Sequence, residues 1–90
     1  MGRIMKRSEY LLKQLNKIDE QKDVVNFCLE VEEYVFQNFD EIEKENATLA
    51  TFLNDEFLDF CDEIEPDTDK GYIRERIKQV IEKICNILNQ

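Results

Sequence analysis

The sequence predicts an all-α protein, an antiparallel four-helix bundle forming a single domain over residues 1–90. Three observations carry that expectation. Ninety residues are enough for one core, burying about 60–65% of the unfolded surface, and leave no room for a second layer. Only two glycines and one proline punctuate the chain, too few for the turns of a sandwich or barrel. Apolar residues recur at steps of three and four along four stretches, and connections of roughly two to eight residues between them are those of a bundle.

The first helix is expected over about 8–18, with Ser8 as its N-cap, Glu9 in its first turn and Leu11, Leu12, Leu15 and Ile18 on its apolar face. Met1 to Arg7 is expected to fray or to add a turn through Ile4. Asp19-Glu20 marks a break. A second helix is expected from about Glu20 to Phe39, with Val24, Phe27, Cys28, Val31, Val35 and Phe39 as its main stripe. Val25, Leu29 and Phe36 form a second stripe further round, so this helix should contact two neighbours. A bundle supplies them; self-association is the competing account.

Asp40 to Asn46 reads as the next loop, with Asn46 or Thr48 capping a third helix. Leu49, Phe52, Leu53, Phe57, Phe60, Cys61 and Ile64 are that helix's core-facing stripe, and Pro66 ends it by forcing its predecessor out of the α region. Asp69, Lys70 and Gly71 read as a turn. The last helix then runs from about Tyr72 to Leu88 on Ile73, Ile77, Val80, Ile81, Ile84, Ile87 and Leu88.

The net charge of −9 is unevenly distributed. Residues 1–22 carry six basic and three acidic side chains, and residues 70–90 carry five and two. Residues 23–69 carry one basic residue, Lys44, against sixteen acids. Such a middle repels nucleic acid and membrane phosphates and attracts a basic partner.

The acids concentrate around the third helix. At 100° per residue, Asp55, Asp59 and Asp62 fall opposite its apolar stripe and Glu56 and Glu63 flank it, with Glu65, Asp67 and Asp69 beyond. The bland account is a solvated face. Two costs argue for more. Asp55–Asp59 and Asp59–Glu63 are like-charge pairs four apart, each destabilising by a few tenths of a kcal/mol. Glu63, Glu65, Asp67 and Asp69 crowd a helix C-terminus, where the macrodipole disfavours anions. A local cost without a local reward marks a working surface.

Chemistry is poorly supplied. There is no His, and Ser8 is the lone serine. The carboxylates have no evident pocket to shift their pKa values. No enzyme, metal or cofactor is expected. Cys28, Cys61 and Cys85 are widely spaced and read as reduced core cysteines rather than a zinc site. Asp67 to Gly71 resembles a fragment of an EF-hand loop, but Gly71 falls at position five and Lys78 where a bidentate Glu is required. Asn46-Ala47-Thr48 matches a glycosylation sequon, which carries no weight without a secretory signal. No apolar run near Met1 to Arg7 suits a signal peptide or membrane span, so the expected compartment is the cytoplasm.

Asp55-Glu56-Phe57-Leu58 through Ile64-Glu65-Pro66-Asp67-Thr68-Asp69, followed by the Tyr72, Ile73, Ile77, Val80 and Ile81 spacing, resembles the signature region of the colicin D immunity family. That family includes immunity proteins of contact-dependent growth inhibition systems. The resemblance spans roughly Asp55 to Leu88. It implies a small four-helix inhibitor whose acids stand in for RNA phosphates in the basic cleft of a tRNA-cleaving toxin domain. Carried onto this sequence, the family's key acids fall on Asp62, Glu65 and Asp67. Asp55, Glu56, Asp59, Glu63 and Asp69 join them from the charge pattern. The expected partner is a basic nuclease toxin domain, with no direct binding of nucleic acid or membrane, and the free chain is expected to be a monomer or weak dimer. Two rivals stand: an adaptor that binds a partner helix through Val25, Leu29 and Phe36, and an immunity protein against a membrane-active bacteriocin.

Overall fold

The computed structural model describes residues 6–89, and expectations about Met1 to Met5, including a turn through Ile4, lie outside the described residues. Four helices pack around one core: α1 (Arg7–Leu15), α2 (Val24–Glu45), α3 (47–63) and α4 (Lys70–Leu88). A short 3₁₀ turn, Ile18–Glu20, lies between α1 and α2, and no strand occurs among the described residues. The main apolar stripe of each helix read from the sequence forms the core. Leu11, Leu15, Val24, Val35, Leu49, Leu53, Phe57, Ile73, Ile77 and Ile84 are fully buried.

Side-chain contacts fix the helix directions. The start of α1 meets the end of α2, where Arg7 Nε donates to Asn38 Oδ1 at 2.9 Å. Tyr10 packs on Tyr34 with ring centroids 4.9 Å apart. α3 and α4 also run antiparallel, since Phe52 lies beside Val80 and Lys83, and Phe60 meets Tyr72 edge-on at 6.4 Å. Lys78 Nζ pairs with Asp19 Oδ1 at 3.2 Å, and Arg74 donates to the Gln21 carbonyl at 3.2 Å. These two contacts tie α4 to the connection that leads into α2.

The structure corrects four boundaries. Asp40 to Glu45 is not a loop: α2 continues through it to Glu45, because Ile42 extends the core stripe seven residues beyond Val35 and is fully buried. The connection to α3 is then Asn46 alone. Its extended backbone breaks the helix, its N–H donates to the Ile42 carbonyl at 2.8 Å, and its Oδ1 accepts from Leu49 N at 3.0 Å. One residue closes α2 and caps α3.

Ser8 is not an N-cap. The capping position is Lys6, whose side chain makes no cap, and Ser8 lies inside the helix, buried. The free N–H groups of α1 are met from another helix. Glu45 accepts from Arg7 N, Ser8 N and Ser8 Oγ, each at 3.0 Å. A carboxylate at a helix N-terminus satisfies the orphan donors and suits the dipole, whichever helix supplies it.

α1 ends at Leu15 rather than at 18, and Ile18 reaches the core from the 3₁₀ turn. Lys70 and Gly71 are not a turn but the first residues of α4. Asp69 is its N-cap, with Oδ2 accepting from Tyr72 N at 2.8 Å. A Cβ on Gly71 would sit 3.1 Å from that same oxygen, so glycine leaves the cap its space.

α3 holds a feature the periodicity does not show. Between the α segments Ala47–Phe52 and Leu58–Glu63, residues Leu53–Phe57 form a π-helical turn, closed by Leu58 N donating to the Leu53 carbonyl. The wider turn keeps Asn54, Asp55 and Glu56 outside and returns Phe57, Leu58, Phe60 and Cys61 to the core.

Candidate functional site

All eight acids singled out in the sequence, Asp55, Glu56, Asp59, Asp62, Glu63, Glu65, Asp67 and Asp69, are exposed. Ion pairs among the described residues are Lys44–Glu41 at 3.7 Å and Lys78–Asp19 at 3.2 Å, and neither involves them. Removing acids from water without partners is costly, so leaving them solvated is the stable arrangement for the free chain.

The structure divides the row in two. Asp55 and Glu56, on the π turn, border α4 in shallow grooves that also expose Arg76 and Lys83. Asp62, one and a half turns further on, faces α2, where Glu32 lies within hydrogen-bonding reach of it. Two carboxylates meeting without a cation disfavour double ionisation. Burial first, then the charge and hydrogen bond of Asp62, then Glu33 push the Glu32 pKa up. The sequence reading missed Glu32. Its sole local signal is its position three after Leu29 and four before Phe36, since the contact with Asp62 joins residues thirty apart.

Beneath this pair lie two thiols, Cys28 on α2 and Cys61 on α3, both free and buried. Burial, reinforced by the nearby Glu32 charge, pushes the Cys28 thiol up to about 11. Burial also raises Cys61, with Cys28, Glu32 and Asp62 adding to it. Both stay protonated near neutral pH and act as small hydrophobes. Cys85 is half-buried.

Glu65 and Asp67 stand on a tight, self-bonded turn. Ile64 adopts an extended backbone that ends α3. Thr68 N donates to the Glu65 carbonyl at 3.0 Å, and Glu65 N donates back to Thr68 Oγ1 at 2.8 Å. Pro66 takes the second position, where its fixed φ suits a β-turn. This brings Glu65 and Asp67 to either side of a rigid corner and leaves both carboxylates in water. Asp69 differs, since its carboxylate caps α4. Pro66 also lines a groove of about 520 Å³ with Val25, Asn26, Leu29 and Lys70, so the turn adjoins the second apolar stripe of α2.

That stripe is not covered as a bundle neighbour would cover it. Val25 packs partly on the core, but Leu29 is 52% and Phe36 60% exposed. Among the described residues no helix is long and apolar enough to cross a membrane. No cluster of His, Cys, Asp or Glu there is arranged to hold a metal ion. Comparison of the chain with known protein families, characterised proteins and solved structures finds no match.

Proposed function

We propose that this chain is an immunity protein that binds a basic nuclease toxin domain, of the tRNA-cleaving kind, and blocks its active site with carboxylates in place of RNA phosphates. One observation carries the reading. Asp62, Glu65 and Asp67, the acids singled out by the colicin D immunity resemblance, are exposed, make no ion pair among the described residues, and are held on the end of α3 and the turn that follows it. Glu32 adds a fourth carboxylate from α2. Glu32 meets the charge of Asp62 in the free chain, a cost that a cationic cleft would relieve. Complementary charge also raises association to about 10⁸–10⁹ M⁻¹s⁻¹ at low salt, which suits an inhibitor that must act before its target cuts.

Asp55 and Glu56 contribute less on this reading, because Lys83 shares a groove with both and Arg76 with Glu56. Asp59 and Glu63 extend the field between the two groups.

The test is inhibition of tRNA cleavage by a panel of basic tRNA-cleaving toxin domains. The expected result is stoichiometric inhibition of one of them, with association slowing steeply as salt rises. Changing Asp62→Asn, Glu65→Gln and Asp67→Asn together should leave helix content intact and abolish inhibition. Losing one acid buried against the toxin's cations should cost on the order of 2–5 kcal/mol. Full inhibition by the triple variant would sink the site, and no inhibition of any domain would sink the reading.

A second reading has its own observation. Leu29 and Phe36 are exposed on one face of α2, which suits an adaptor that docks a partner helix.

A further inference from the structure

The exposed apolar stripe of α2 and the carboxylates at the end of α3 are neighbours. Leu29, Glu32, Glu33 and Phe36 are three, four and seven residues apart, the spacing of one helix face. Glu32 is in reach of Asp62 across the α2–α3 seam, and Leu29 shares a groove with Pro66 of the acidic turn. Along α2 the two apolar side chains stand about 10 Å apart, two helical turns, with the carboxylate pair between them. We infer that Leu29, Phe36, Glu32 and Asp62 form one docking face for a basic amphipathic helix of a partner protein, its apolar residues seating on Leu29 and Phe36 and an arginine or lysine between them meeting Glu32 and Asp62.

Charge selects this occupant. The face presents Glu32, Glu33 and Asp62 around its apolar anchors, so a second copy in isologous contact would set carboxylates against carboxylates. An apolar helix without cations would bury the two carboxylates unpaired, at a high cost. A polycation without an apolar stripe would leave Leu29 and Phe36 in water. A basic amphipathic helix meets all three demands, with i, i+3/i+4 and i+7 anchors as in other helix-in-groove recognition. The face is confined to one edge. Lys22 and Lys70, together with Asp23, line the groove that Leu29 shares with Pro66.

The inference deepens the inhibitor reading and rests on it for the partner's positive charge, while the apolar anchors stand on their own exposure. The probe is a synthetic 18-residue helix with a leucine stripe flanked by arginines, titrated into the ¹⁵N-labelled chain. Two controls are the same helix flanked by glutamates and an arginine-rich scramble without the stripe. The expected result is saturable shift changes centred on Leu29, Glu32, Phe36 and Asp62 with the arginine helix alone. Leu29→Ser with Phe36→Ser should weaken binding at least about tenfold, and Glu32→Gln with Asp62→Asn should weaken it and flatten its salt dependence. Leu29, Phe36 and Asp62 are exposed and Glu32 half-buried, and a cooperative melt at or above the parent's temperature shows that each variant is folded.

No shift changes at these residues, equal binding of the glutamate helix, or indifference to the Leu29/Phe36 change would each overturn the inference. So would sedimentation of the chain alone as a dimer that the Leu29/Phe36 change dissolves, which would make the occupant a second copy. Inhibition of tRNA cleavage is read in a separate assay, so the docking face can fail while the inhibitor reading stands, and the reverse.

Discussion

Two acidic stretches of this chain look alike in the sequence and have opposite structural roles. Residues 40–45 carry four acids and one lysine, and residues 55–69 carry eight acids and no base. In the first stretch two of the four acids have structural contacts. Glu41 pairs with Lys44, and Glu45 closes the N-terminus of α1 through three hydrogen bonds. In the second, Asp69 caps α4, and Asp55 accepts only from the neighbouring Asn54 side chain among the described residues. Asp62 is set against another carboxylate. Acid content alone therefore says little. What separates the stretches is whether a backbone N–H or a cation answers each carboxylate. Where nothing does, the fold gains nothing from the charge, and that is the ground on which a partner is proposed.

The largest test of the contrast lies under the second stretch. Phe57 is fully buried at the end of the π turn that holds Asp55 and Glu56 outside. Phe57→Ala should cost roughly 3–5 kcal/mol in urea unfolding, a large part of the about 5–15 kcal/mol typical of a folded domain. Substituting the exposed acids other than the cap Asp69 should leave the unfolding midpoint in place or raise it, since like charges are removed.

The next effect belongs to the first stretch. Glu45→Ala leaves Arg7 N, Ser8 N and the buried Ser8 hydroxyl without their acceptor. Loss of a cap of this kind should lower stability by about 1–2 kcal/mol, with amide exchange rising first in α1. Toxin inhibition should be unchanged. If Glu45→Ala abolished inhibition without loosening α1, the division between structural and functional acids would fall.

Within the second stretch the contrast narrows to two residues apart. Asp69→Ala removes the α4 cap and should cost about 1 kcal/mol. Asp67→Ala touches no hydrogen bond of the fold and should cost nothing measurable, yet on the proposed function it weakens inhibition. Stability and inhibition measured on this pair should move in opposite order.

These distinctions mark where the sequence could and could not be read. The four helices were legible because their apolar stripes are long and regular, and Ile73 to Leu88 gives the clearest. The end of α2 was not, because four acids in six residues resemble a loop until Ile42 is weighed as a core position. Ser8 looked like a cap because capping is normally local, and here the carboxylate comes from thirty-seven residues away. The π turn was hidden as well, since the same apolar residues fit a regular α register nearly as well. The exposed acids were legible one by one. Their division between the α4 grooves and the α2 seam was not, and Glu32, which joins Asp62 only through packing, lay beyond any pattern of spacing.

The smallest predicted effect separates the two stretches by pH. Glu45 is partly desolvated, which alone would raise its pKa. Hydrogen bonds from Ser8 and Arg7 and the charge of Lys6 outweigh that and hold it below the ordinary 4.5. A depressed folded pKa gives stability that is present above the unfolded value and lost as pH falls through the folded one. Glu32 is the opposite case, raised above 4.5 by burial and by Asp62. Its ionised form is a burden at neutral pH, so its contribution improves as pH falls through its raised pKa toward 4.5. Glu32→Gln should therefore stabilise the chain by a few tenths of a kcal/mol at pH 7 and remove part of the rise in urea midpoint just above pH 4.5. Glu45→Gln should instead remove part of the fall below it. A Glu32→Gln variant whose pH profile overlays the parent would mean that the α2–α3 carboxylates do not interact. The seam would then hold two independent solvated acids rather than a pair awaiting a cation.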